Sequence, residues 1–283
     1  MDGKEFNKYS DKLSNSFKTT IKTDQNKIRR YDIIYLLFHT MLMRKSVRSL
    51  YGKQKFITMV TVYPTLRPIF SRKKEIFIGV ANKCEAILAN NKKSLKDLQS
   101  IYKKSSYLAP RGVDPNIFYP ISNEFNENKE FTVVFCGKSN PEKGLKNIIE
   151  PACKKAGVKL ITNERNFTNA LNEDQMREFY NEADVYIVAS TMDGTPNTAL
   201  EAAACGKPIL SNSIGNMPEF IKNGKNGFLI NLKIDKYVRK LKWMKKNRKK
   251  VYEMGLNARE TILKSWTWDI VLNKNEREIL RKI

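Results

Sequence analysis

Two acidic residues eight positions apart, Asp193 and Glu201, and two lysines on a separate glycine-bounded turn, Lys138 and Lys143, are the side chains here whose types and spacing could do chemistry. Asp193 opens a run of turn residues, with Gly194, Pro196 and Asn197, directly after an apolar, β-branched stretch. From Thr198 onward, Ala199, Leu200, Ala202, Ala203 and Ala204 predict a close-packing helix that stops at Gly206 and Pro208. A strand, loop and helix in that order aim several backbone N–H groups and a partial positive charge at whatever sits above the loop. That is a ready anion site, with carboxylates beside it to bind hydroxyls. Taken alone, the segment is equally well a tight turn feeding a small-residue helix packed on a sheet. The lysines sharpen the picture through their position, since most lysines are solvated surface charges. Gly137 and Lys138 follow a predicted strand, and Lys143 and Gly144 open a predicted helix. Both lysines therefore leave one βα loop at the carboxyl edge of a sheet, the edge where α/β proteins bind ligands.

The elements that hold these loops can be read from periodicity. Phe6, Tyr9, Leu13 and Phe17 fall at helical spacing over 4–20, and a buried strand is expected over 31–38. A basic amphipathic helix runs from His39 to Tyr51, followed by a strand over 56–62, a helix over 75–85 and a strand over 86–89. A helix over 94–103 is expected to be capped by Ser94. The segment 107–120 is dense in Pro, Gly and Asn, and the polar stretch 122–130 follows it, which marks a connection between domains. A second series has strands at 131–136, 158–162, 184–189, 208–211 and 224–230, and helices at 145–156, 173–182 and 215–221. A strongly basic helix over 236–264 and a last helix from Trp268 to Ile283 complete the chain. Such alternation predicts an α/β protein with parallel, doubly wound sheets. The domains divide as 1–121, joined by helix 268–283, and 122–267.

The loop from Asp193 to Glu201 resembles the signature of family 4 glycosyltransferases, in which an acid, a Gly-x-Pro loop and a Glu eight positions later hold a nucleotide-sugar. The connection Gly112-Val-Asp114, followed by Phe118 and Pro120, resembles the interdomain segment of the same family. The resemblance covers roughly residues 107–283 and implies a GT-B fold: two Rossmann-like domains facing a cleft, with the final helix crossing back to the first. It implies that Glu201 binds the donor's ribose and that Asp193 lies near the transferred sugar. Lys138 and Lys143 would contact the donor's diphosphate, with Gly137, Gly194, Thr195, Pro196, Asn197 and Thr198 lining the donor site. It also implies retention of anomeric configuration without a metal or a cofactor, the leaving phosphate helping to deprotonate the acceptor. Four departures stand out. The first acid is Asp where Glu is usual, and Lys138 stands where Arg is usual, a point charge without the bidentate fork. The family's opening strand and glycine-rich loop have only residues 1–3 ahead of the first helix, so a shortened first domain is expected. Tyr63 stands where a His often follows a first-domain strand. These leave a compact active transferase, an enzyme completed by a partner chain, or an inactive donor-binding relic; the intact second-domain motifs favour the first.

Composition bounds the rest. The 283 residues are 41% apolar, enough for one large or two modest cores. With 52 Lys and Arg against 29 Asp and Glu the net charge is +23, which suits a polyanionic neighbour and equally a lysine-rich source. Cys84, Cys136, Cys153 and Cys205 lack metal or disulfide spacing and read as free thiols in a reducing compartment. The polar opening, 1–30, is not expected to be a signal peptide, and no apolar run approaches a bilayer's thickness. A cytoplasmic protein is expected, with possible peripheral contact of the 40–51 helix with an anionic membrane. The sole histidine, His39, is expected to pack or cap rather than catalyse. The acceptor (glycan, lipid or protein) is left open. Two other readings stand beside the transferase: a non-catalytic basic nucleic-acid binder on a degenerate GT-B fold, and a nucleotide-sugar epimerase.

Overall fold

Alternation along two short strands sets the architecture of the larger half. In Thr132–Gly137, Val133 and Phe135 enter one buried cluster while Val134 and Cys136 enter another; in Val185–Val188, Val185 and Ile187 part from Tyr186 and Val188 in the same way. A sheet apolar on both faces needs helices on both, which is the doubly wound solution. The structure is a computed structural model describing residues 33–36, 55–60, 84–101, 105–122, 124–164 and 171–271. The helices expected at 4–20 and 39–51, nearly all of that at 75–85, His39, Tyr63 and the chain beyond 271 lie outside the described residues.

The first sheet is parallel and runs in chain order through β1 (Ile33–Leu36), β2 (Lys55–Val60), β3 (Ala86–Ala89) and β4 (Ser105–Leu108). Between β3 and β4 lies α1 (Lys92–Gln99). Its cap corrects the sequence reading: Asn91, not Ser94, is the N-cap, and its Oδ1 accepts from Ser94 N at 2.8 Å. Asn is as good a cap as Ser, and its position three residues earlier starts the helix sooner.

The second sheet comprises β5 (Thr132–Gly137), β6 (Lys159–Glu164), β7 (Val185–Val188), β8 (Ile209–Ser211) and β9 (Gly227–Leu229). All pairs are parallel, in the order β6-β5-β7-β8-β9. One turn of π-helix (Leu145–Ile149) runs into α2 (Glu150–Ala156), which covers one face with α6 (Ile234–Lys246). The other face is covered by α3 (Glu173–Asn181), α4 (Asn197–Ala204) and α5 (Met217–Phe220), with the later part of α7 (Arg248–Ser265). The single basic helix expected over 236–264 is two. Asn247, at φ −119° and ψ 48°, ends α6. The break lets Tyr237, Leu241 and Met244 pack on one face of the sheet while Ala258 and Ile262 reach the other.

The connection between the sheets is strapped to the second one. Arg177 donates to Ile117 O at 3.2 Å, Asn181 to Tyr119 O at 3.0 Å, and Arg248 to the carbonyls of Asn126 and Lys129. Val113 N donates to Trp266 O at 2.9 Å and Trp268 N to Val113 O at 3.3 Å, so the end of the second unit returns to the connection. All four cysteines are buried, and none is in a disulfide. Tyr252 of α7 meets Phe125 of the connection, and Trp243 of α6 packs edge-on against Phe228.

Two tests of this packing follow. A Cβ at Gly255 of α7 would lie 2.1 Å from Gly206 O. Ala in place of Gly contributes about 1 kcal/mol of helix propensity, which the backbone clash outweighs. Gly255→Ala should therefore lower stability by about 2 kcal/mol in urea unfolding; an unchanged midpoint would show that α7 does not press on this turn. Burial, with Lys129 nearby, lowers the Lys207 ammonium to about 8. The folded state then sheds this proton before the unfolded chain does, so stability from this group rises between about pH 8 and pH 10. Lys207→Met should flatten that rise and gain about 1–2 kcal/mol at pH 7, net of the 3.2 Å bond to Asn181 O.

Candidate donor site

The strand order places a topological switch between β5 and β7: the chain leaves β5 toward α2 on one face and β7 toward α4 on the other. The loops at that edge diverge and leave a crevice at the carboxyl ends of the strands. They are the two loops singled out by the sequence, 137–144 and 189–197.

The loops are built against each other. Thr191 N donates to Glu142 O at 2.8 Å. Gly144 has φ +71°, and a Cβ there would stand 2.2 Å from Ala189 O, so only glycine allows the approach. Beyond β7, the chain's carbonyls are taken by side chains from neighbouring elements: Tyr237 OH donates to Val188 O at 2.6 Å and Asn212 Nδ2 to Ser190 O at 2.8 Å.

Lys143 ends the short 3₁₀ turn Pro141–Lys143 and pairs with Asp193: Nζ donates to Oδ2, and both side chains are largely buried. Asp193 Oδ1 accepts from Thr195 N at 3.1 Å, an Asx turn that shapes the loop around Gly194. The structure thus joins two residues to which the sequence reading gave separate roles. Both Asp193 oxygens have protein donors, so the carboxylate holds the lysine and the loop. Lys138 stands one residue past β5, exposed at the same edge, and Gly137 is the last residue of that strand.

Helix α4 begins at Asn197 behind Pro196, and no side chain caps it. Its first amides therefore have no side-chain acceptor, unlike those of α3, which carry a full capping box from Asn172 and Gln175. Thr198 Oγ1 shares a 2.6 Å hydrogen bond with Tyr186 OH, which also donates to Cys136 O at 2.9 Å. Glu201, one turn further, accepts from Tyr180 OH through Oε2 at 2.5 Å. Burial raises both phenols well above their ordinary value, so they remain protonated donors at neutral pH. Among the described residues no three His, Cys, Asp or Glu side chains group as a metal site requires. No helix among them is long and apolar enough to cross a membrane.

Several residues of the site escaped sequence reasoning. Asn91 Nδ2, from the first unit, donates to Gly194 O at 2.8 Å, and Lys92 N donates to Glu219 Oε1 at 2.7 Å. Together they tie the start of α1 to the donor loop and to α5. The available signal for Asn91 was its cap position; that for Tyr180 and Tyr186 was a hydroxyl on an otherwise apolar position, which needs a partner when buried.

Two parallel-sheet units with this crevice at the second unit's switch point define a GT-B α/β protein. Solved structures agree on that fold. Sucrose-phosphate synthase from Thermosynechococcus elongatus superposes with a TM-score of 0.73 at 13% identity, covering 100% of this chain and 80% of that one. Anabaena HepE, in complex with UDP and glucose, gives 0.75 at 15% identity over 93% of this chain and 81% of that one. Residues 122–261 match the family model described as Glycosyl transferases group 1. Among curated relatives, an uncharacterised glycosyltransferase of Methanocaldococcus jannaschii is 30% identical over 86 residues, 30% of this chain and 21% of that protein. A probable sucrose-phosphate synthase of Thermosipho melanesiensis is 23% identical over 201 residues, 61% of this chain and 47% of that protein. The chain thus spans less than half the length of these two relatives.

The contact from the first unit can be tested by itself. Asn91→Ala removes a cap, worth about 1 kcal/mol, and strips the Gly194 carbonyl of its amide donor, worth about 1–3 kcal/mol. Asn91→Asp keeps the cap but sets a carboxylate against that carbonyl. Both variants should lower the urea midpoint. Full stability in Asn91→Asp would mean that the Gly194 contact contributes nothing.

Proposed function

We propose that this protein is a glycosyltransferase that moves a sugar from a nucleotide-diphosphate sugar to an acceptor hydroxyl with retention of configuration. The observation that carries the reading is Lys143 paired with Asp193 beside the start of α4, which no side chain caps, with Glu201 one turn along that helix. The fold and family of residues 122–261 support it, and the UDP and glucose held by the HepE structure make UDP-sugars the first donors to try.

The chemistry follows from charge. As the bond between the anomeric carbon and the diphosphate oxygen breaks, positive charge grows on the ring and negative charge on the leaving group. Lys143 and the amides of Gly194, Asn197 and Thr198 meet the departing charge, with Lys138 as a second cation at the rim. A preorganised donor of this kind contributes about 3 kcal/mol to lowering the barrier. In this reading the positive charge that a metal supplies in other transferases comes from lysine and backbone dipole. Asp193 keeps Lys143 aimed, and Glu201 grips the ribose. The acceptor oxygen bonds to the anomeric carbon on the face the diphosphate leaves, and its proton passes to the departing phosphate.

Titration calorimetry with UDP-, GDP- and ADP-sugars is the direct test. At least one should bind, and Lys143→Ala and Glu201→Ala should each weaken it about tenfold to a hundredfold, the loss of one charge-assisted hydrogen bond. Lys143→Ala should also slow turnover by about a hundredfold or more. No binding by any donor, or wild-type binding by both variants, would remove the reading. A nucleic-acid binder using exposed Arg239, Lys242, Lys245 and Lys246 instead predicts tight polynucleotide binding that falls steeply with salt. An epimerase would isomerise the sugar with no acceptor present.

A further inference from the structure

Resting on the donor reading above, we propose that Tyr180 is the positioning residue for the ribose-binding carboxylate: its hydroxyl fixes Glu201 and so makes the site select nucleotides carrying an intact ribose diol. Tyr180 is 0% exposed near the end of α3. Its 2.5 Å bond to Glu201 Oε2 falls at the short end for a hydroxyl on a carboxylate, the strong class of hydrogen bond.

The ring has no freedom to carry the hydroxyl elsewhere. It meets Phe179 at 5.7 Å, Phe118 at 5.9 Å and Tyr186 at 5.9 Å between centroids, each edge to face. Three aromatic neighbours at such angles hold both the position and the tilt of the phenol. Glu201 by contrast sits on a helix face with three rotatable bonds, and gripping two adjacent hydroxyls demands one carboxylate orientation. A donor fixed in the core supplies that orientation before the nucleotide arrives, which is the condition for a tight and selective contact. The neighbouring Tyr186 does the same for Thr198 and the end of β5, so a buried tyrosine pair underlies the crevice floor. Phe118 belongs to the connection between the two units, which adds that connection to the list of elements setting the carboxylate.

The test compares UDP, GDP and ADP with their 2′,3′-dideoxy counterparts by calorimetry on the full chain, following whichever base binds. In the wild type the diol form should bind about thirtyfold more tightly, as expected when a site built for hydroxyls loses them. Tyr180→Phe should narrow that ratio about tenfold while leaving the dideoxy affinity within twofold. Glu201→Gln should narrow it further, and adding Tyr180→Phe to Glu201→Gln should change nothing more. A purely structural role for Tyr180 would weaken both nucleotides alike and leave the ratio intact. That result overturns the proposal while the donor reading stands. A wild type that binds a nucleotide but ignores the diol overturns the proposal alone, and one that binds none of the nucleotides overturns both. Should Tyr180→Phe fail to fold, 3-fluorotyrosine placed at 180 reports directly. Its ¹⁹F resonance should shift with the diol nucleotide and not with the dideoxy form, and equal shifts, or none, count against the proposal.

Discussion

A parallel sheet buried on both faces can present its backbone only at its ends, and that constraint governs the rest of this molecule. Because α2 crosses on one side of the second sheet and α4 on the other, the chain must part between β5 and β7. The parting exposes amides that no strand can pair. Several backbone carbonyls near it are taken by the seam itself: Glu142 O by Thr191 N, Val188 O by Tyr237, Ser190 O by Asn212. What remains outward is the start of α4, behind a proline that offers no cap. An anion-binding end is thus a consequence of topology before any charged side chain is counted.

The two sides of the crevice differ in stiffness, and the difference has a physical source. On one side, Tyr180 and Tyr186 place hydroxyls from rings that are almost wholly buried, so moving Glu201 or Thr198 means disturbing an aromatic cluster. On the other, Lys143 is an ammonium on a four-carbon stem with several rotatable bonds, held by the Asp193 carboxylate rather than by packed rings. The Glu201 side is therefore preorganised and the Lys143 side adaptable. That division would suit the proposed reaction, in which the nucleoside stays still while charge moves onto the diphosphate.

How much of this could be read in the residues depended on the range of the interaction concerned. β3 lies where its apolar run placed it, and Lys143, Asp193 and Glu201 occupy the loop ends that their turn residues and helix signals marked. These are local matters of pattern and turn chemistry. What escaped were contacts between distant segments. Asn91 meets Gly194 across more than a hundred residues, and Tyr180 meets Glu201 from a different helix. Neither has a spacing that could betray it. Local errors also had local causes: Ser94 and Asn91 are both good caps, and only the geometry chooses between them. Asn247 broke a helix that a continuous basic run had seemed to join, because a chain serving both faces of a sheet has to turn somewhere. The pairing of Lys143 with Asp193 was hidden for the same reason as the tyrosines, since a shared crevice brings together side chains that the sequence keeps fifty residues apart.

Net charge is the feature that sequence made loudest and structure made least specific. Many lysines of the second unit are spent on surface pairs one helical turn apart, such as Lys146 with Glu150 and Lys264 with Glu260, or stand on the outer side of α6. Lys240 covers the Phe228 ring with its ammonium at 3.7 Å, a packing use of a charged side chain. Charges of that kind are screened within about 8 Å at physiological salt, so they raise solubility and general affinity for anions without choosing one. Lys143 differs in kind. It is largely buried, aimed by a carboxylate and set beside a turn of amides that no side chain caps, so its field acts where screening is weak. Among the described lysines it is the one whose place, rather than its number, gives charge a part in the proposed chemistry, with Lys138 at the same edge.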